Sequence, residues 1–97
     1  MKPKGIGTVF AERELDGESN GSPCKVVVRL GKPFQNEDES WCCPYSVTSP
    51  AGERVFYGAG FDSLQALRAA MANVGAELKT VYAELKLKWA NGDDLGF

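Results

Sequence analysis

Two adjacent cysteines, Cys42 and Cys43, sit in the stretch S-W-C-C-P-Y-S-V from Ser40 to Val47 and come nearest to chemistry in this sequence. Paired thiols can hold a soft metal, cycle through a disulfide or supply a nucleophile. Zinc asks for four ligands, usually Cys or His. This chain has no histidine, one further thiol at Cys24, and no C-x-x-C spacing. Successive side chains of a strand point to opposite faces, so Cys42 and Cys43 would not close on one ion. A disulfide between neighbours demands a strained backbone. The pair therefore reads as two small apolar side chains of a strand, and no metal is assigned. The alternative is a cysteine-dependent enzyme or a small-molecule or redox sensor, which needs Cys42 or Cys43 exposed and poised as a thiolate.

Other reactive constellations are thin. Without histidine, the Ser-His-Asp and Cys-His arrangements and the commonest general base are excluded. Glu37, Asp38 and Glu39 fall in a polar segment and read as a solvated acidic run, as do Asp93 and Asp94. G-x-G occurs at Gly5 to Gly7 and again at Gly58 to Gly60. The second precedes a helix, but it lacks the third glycine, the Walker lysine and the βαβ setting that a phosphate cradle needs. Its glycines read as easing a tight strand-to-helix crossing, where φ above zero is useful. No catalytic residue and no cofactor is assigned.

The elements that must position these residues are legible from punctuation and periodicity. Thr8 to Leu15 reads as a first strand, ended by the turn-rich D-G-E-S-N-G-S-P from Asp16 to Pro23. Cys24 to Leu30 is the strongest strand by composition. Gly31 to Ser40 reads as a mobile polar loop. Trp41 to Thr48 and Arg54 to Gly60 are the third and fourth strands, joined by the S-P-A-G turn. Asp62 is placed as N-cap, with Gln65 completing a capping box. Leu64, Leu67, Met71, Val74, Leu78, Val81 and Leu85 then fall on one helical stripe, away from Arg68, Asn73, Glu77, Thr80 and Glu84. The fold class is α+β: a four-stranded antiparallel meander with one long C-terminal helix packed on one face. Leu87 and Trp89, alternating with lysines, could add a short final strand.

A chain of 97 residues is one domain, 1–97, large enough for a single modest core. Eleven Lys and Arg stand against thirteen Asp and Glu, for a net charge of −2. That balance lacks the basic surplus on which nonspecific phosphate binding depends, so no nucleic-acid partner is expected. No stretch approaches the roughly 20 apolar residues that span a bilayer, and none at the N-terminus has signal-peptide length. No membrane partner is expected either. Three cysteines cannot close a complete disulfide framework, which fits reduced thiols and a cytoplasmic location.

On the third strand Trp41, Cys43, Tyr45 and Val47 share one face, and Cys42, Pro44, Ser46 and Thr48 the other. Pro44 has no N–H, so it belongs where that group would face no partner strand, or at a bulge. The same alternation assigns Val26, Val28, Leu30, Val55, Tyr57 and Ala59 to the face under the helix. It leaves Lys25, Val27, Arg29, Arg54 and Phe56 together on an open face, a local basic and apolar surface suited to a partner or to self-association. A helix from Ser63 to Leu85 would run about 34 Å, against about 17–20 Å for a strand of ordinary length. The overhang predicts a homodimer, through the helix end around Val81 and Leu85 or through the open sheet face. Alternatively Leu87, Trp89 and Phe97 fold back and cover it.

W-C-C-P-Y at Trp41 to Tyr45, G-x-D-S-L-Q-A-L at Gly60 to Leu67, V-G-A-E-L at Val74 to Leu78 and the closing D-L-G-F at Asp94 to Phe97 resemble a family of short bacterial proteins of unknown function. Phe61 stands where that pattern would place a smaller aliphatic residue. The resemblance implies a stand-alone domain and carries no activity, cofactor or catalytic residue. Residues and resemblance together lead to a non-enzymatic cytoplasmic protein-interaction or self-associating module.

Overall fold

The structure, a computed structural model, describes residues 5–90 and 92–97. Five antiparallel strands, β1 (Val9–Ser19), β2 (Ser22–Gly31), β3 (Phe34–Gln35), β4 (Trp41–Ser49) and β5 (Gly52–Gly60), form one sheet. A single long helix, α1 (Ser63–Thr80), and a 3₁₀ turn, Ala83–Leu85, complete the elements. The class is α+β, and the four long strands follow one another across the sheet as a meander.

The short β3 lies in the segment expected to be a loop. β2 pairs with β4 as far as Leu30 opposite Tyr45, and the chain rejoins β4 at Phe34 opposite Cys42. Cys43 and Pro44 are left without a partner on that side. Pro44 has no N–H to lose there, so the break costs the ladder little. Beyond β3, Asn36 and Ser40 close a tight turn, with the Asn36 N–H donating to the Ser40 carbonyl at 2.7 Å.

The first hairpin is longer than expected. β1 continues past Leu15 to Ser19, and only Asn20 and Gly21 turn, both with positive φ (53° and 79°). That is the backbone a two-residue hairpin requires, and Asn-Gly is the pair that adopts it most readily. Asp16 and Gly17 remain within the strand.

Helix α1 begins as expected at Asp62, whose Oδ1 accepts from the Gln65 N–H at 2.7 Å. Gln65 returns the contact one residue earlier than a standard box, its Oε1 accepting from the Phe61 N–H at 2.6 Å. The buried stripe is rotated from the expected one. Ala66, Ala70, Val74 and Leu78 lie against the sheet, whereas Leu64, Met71 and Val81 are exposed. The cause is the closeness of the packing, since α1 lies over β5 and β4 with Gly58 and Gly60 directly beneath it. A Cβ on Gly60 would stand 2.6 Å from the Ala66 nitrogen. Only alanine fits in such a gap, so the larger apolar residues move to the flanks. Neither glycine has a positive φ; they serve close approach, not a special turn.

The core joins Leu15, Val26, Val28, Leu30, Cys43, Tyr45 and Val47 of the sheet to the α1 stripe and Tyr82. Over β1 and β2 the C-terminal segment takes the place of the helix: Leu85, Leu87, Leu95 and Phe97 pack onto the core. Lys88 exchanges both backbone hydrogen bonds with Asp16 of β1 (2.8 and 2.9 Å), so the expected final strand is reduced to a bridge. Gly75 makes room for this tail, because a Cβ there would lie 3.1 Å from that of Phe97. Arg13 clasps it, with its guanidinium 3.7 Å from the centre of the Trp89 ring and Nη1 donating to the Leu95 carbonyl at 2.9 Å.

The overhang expected of the helix does not arise. At 18 residues α1 is about 27 Å long, and strands of 9 to 11 residues reach about 30–37 Å. The folded-back tail is the arrangement adopted. Among the described residues, no helix is long and apolar enough to cross a membrane.

Candidate interaction site

The thiols come first. Cys42 and Cys43 point to opposite faces of β4, and only Cys43 enters the core cluster, although both are buried. The Cys43 Sγ lies 3.6 Å from the Gly31 carbonyl as a weak donor. Burial pushes both thiols up, Cys43 to about 11 with the neighbouring Cys42 as a second cause. Such groups are neutral thiols at physiological pH, which is the opposite of what a nucleophile or sensor requires. Cys24 on β2 is half-buried.

The five residues expected on one open surface are divided between the two faces of the sheet. Lys25, Val27 and Arg29 of β2 do lie on the open face. Arg54 and Phe56 do not. Phe56 stands opposite Tyr45 and Arg54 opposite Val47, both core residues of β4, and cross-strand partners share a face. Arg54 also pairs with Glu77 of α1 at 3.7 Å and stacks on Phe56 at 5.1 Å. Glu77 therefore faces the sheet, contrary to its expected place on the solvent side. Its carboxylate and burial raise the Tyr45 hydroxyl, burial being the larger cause.

On the open face the two cations already have partners. Lys25 meets Glu14 at 3.3 Å and also Asp16, and Arg29 Nε donates to Glu12 Oε2 at 3.0 Å. Between β2 and β5 the floor of this face is made of small side chains: Cys42, Pro44 and Ser46 are all buried. Arg29 and Val55 flank Ser46 on either side. The acidic character of β1 thus offsets the basic surface that the sequence suggests.

A second apolar surface lies where α1 begins. Phe10, Lys32, Pro33, Trp41, Leu64 and Leu67 line a groove of about 320 Å³. Leu64 is 75% exposed and Phe10 52%. Phe61, the residue before the N-cap, is 88% exposed. A hydrophobic residue there usually staples onto the fourth helical residue. Here that residue is Ala66, wholly buried against the sheet, so the Phe61 ring has nothing to cover. Phe34 of β3, opposite Cys42, is a further exposed ring at this end but on the other face of the sheet. The sequence holds no local signal for this surface, because Leu64 falls on the same apolar periodicity as the buried positions.

A comparison with curated proteins gives no match, nor does one with solved structures. A family pattern matches residues 11–97, from β1 to the clasped C-terminus. The chain belongs to the family described as a domain of unknown function, DUF6968.

Proposed function

We propose that this domain is a non-enzymatic interaction module of the bacterial cytoplasm, which holds an apolar segment of a protein partner in the groove at the start of α1. The observation that carries this reading is the pairing of Phe10 and Leu64 across that groove, both more than half exposed. Large apolar side chains clustered in this way mark recognition surfaces, whereas scattered ones do not. Trp41 and Leu67 give the groove a floor already packed against the core, and a rigid aromatic floor lowers the ordering cost of binding. Protein, with neither nucleic acid nor lipid, is the partner class that fits a net charge of −2. The buried, proton-retaining thiols support packing in preference to cysteine chemistry.

Affinity capture from cells of the source organism, with in-cell crosslinking, tests the reading. A partner should be retained by the wild type and by Arg29→Glu, and lost by Phe10→Ser with Leu64→Ser. Capture that is unchanged in the double variant would overturn the groove.

A further inference from the structure

The two edges of the sheet are finished differently. Along β1, Glu12, Glu14, Asp16 and Glu18 place carboxylates on one face, and the register shifts between Val9 and Ala11. Its outward N–H and C=O at Asp16 are taken by Lys88. Charge, irregularity and a covering segment are the usual ways a protein protects an exposed edge. β5 has none of them past Arg54. It runs V-F-Y-G-A-G from Val55 to Gly60, with no proline or further charge, in unbroken register with β4 from Gly52 to Gly60.

The direction of its free backbone groups follows from two contacts. Tyr57 stands opposite Pro44, which has no N–H to exchange. The Tyr57 carbonyl instead accepts from the Asn73 side chain of α1 at 3.3 Å. Backbone groups alternate sides along an antiparallel strand. The N–H and C=O groups of Glu53, Val55, Tyr57 and Ala59 therefore point away from β4, to an edge occupied by no described strand.

We propose that β5 is the interface of a homodimer, pairing antiparallel with β5 of a second copy about a two-fold axis at Phe56. In that register Val55 faces Tyr57 of the other copy, a favourable β-branched and aromatic pair. Glu53 faces Ala59 and Arg54 faces Gly58, so no like charges oppose one another. The four outward residues of each copy exchange about eight hydrogen bonds, the Tyr57 carbonyl accepting from the second copy in addition to Asn73. The helix does not obstruct this pairing. Asn73 places one flank of α1 beside the β5 edge, and Ala69, Ala76 and Thr80 share that flank at helical spacing. With α1 over β5 and β4, the small-residue flanks of the two helices would face one another across the axis, where small side chains allow close packing. A second copy fits where another strand-donating protein has no such built-in match, because the register is self-complementary in charge and the two flanks are identical. This surface is separate from the apolar groove, so either can fail alone.

Sedimentation equilibrium of the full chain at ~100 µM should give twice the 10.5 kDa chain mass. Val55→Pro removes an outward N–H without touching the β4 ladder, and Val55→Lys puts a charge into the pair; both should sediment as monomers with unchanged far-ultraviolet dichroism. If Val55→Pro fails to fold, Val55→Lys decides. Leu64→Ser should remain dimeric. A wild type that stays at 10.5 kDa, or a folded Val55→Lys that remains a dimer, would overturn the proposal.

Discussion

Gly58 of β5 and Ala70 of α1 meet backbone to backbone: a methyl group on Gly58 would lie 2.1 Å from the Ala70 nitrogen and 2.7 Å from the Ala66 carbonyl oxygen. That contact fixes how the helix sits, which residues it buries and which face of β5 enters the core.

Gly58→Ala should therefore be among the most damaging single changes in the chain. Rigid backbone on both sides leaves nothing to yield, so the helix must lift from the sheet and open the contacts of Val74 and Leu78. Overpacking costs typically about 1–3 kcal/mol, and more where neighbours cannot relax. A urea midpoint within error of the wild type would refute the close approach.

The same contact explains what the sequence did and did not disclose. Asp62 and Gln65 are legible because a cap is local: its donors and acceptors lie within four residues. The faces of β4 are legible because Trp41, Cys43, Tyr45 and Val47 alternate cleanly with smaller or polar residues. β5 offers two plausible faces, Val55-Tyr57-Ala59 and Arg54-Phe56-Gly58, and hydrophobicity favours the wrong one. What decides between them is tertiary, namely that the helix backbone needs glycine beneath it and Glu77 meets Arg54 across the gap. Hence alternation alone puts Lys25, Val27 and Arg29 on the open face, as the structure does, and sends Arg54 and Phe56 there too, although they lie under the helix. The groove at Phe10 and Leu64 is illegible for the same reason, since a Leu beside an alanine stripe reads as core until the gap is known to be too narrow for it.

The rotated stripe gives a contrast between two leucines of one helix. Leu78 is 2% exposed, and Leu78→Ala should cost about 2–5 kcal/mol through lost contacts and the cavity left behind. Leu64 is 75% exposed, and Leu64→Ala should stay within about 0.5 kcal/mol. Chemical denaturation measures both, and equal losses at the two sites would mean that the helix is oriented differently.

The C-terminal clasp makes Arg13 a packing residue as much as a charged one. Its planar head stacks on Trp89 and bonds the Leu95 carbonyl, while Gly96 has a φ of 81° and no side chain to obstruct it. Arg13→Ala should cost about 1–2 kcal/mol and free the tail. Limited proteolysis should then cut after Leu85, where the wild type resists. Lysine should restore little, because it lacks the flat fork that stacks and donates together.

The cysteines carry a pH prediction with a definite sign. Cys43 is held as a thiol, raised from 9.0 to about 11 by burial and by Cys42. A folded pKa above the unfolded one means that the folded state binds more protons between those two values. Its contribution is complete below about pH 9 and is lost as the pH rises toward 11. The loss is on the order of 2 kcal/mol. Tyr45 and Tyr82 are also raised by burial and titrate over higher or overlapping ranges, so the comparison must be internal. Wild type should lose more stability than Cys43→Ala between pH 8.5 and 10.5, although the variant starts lower. Parallel slopes would show that Cys43 is not protected from ionising. On the native protein a thiol reagent at pH 8 should modify Cys24 first, with Cys42 and Cys43 reacting only as the chain unfolds. A Cys42 or Cys43 that labels faster than Cys24 would instead restore the case for cysteine chemistry.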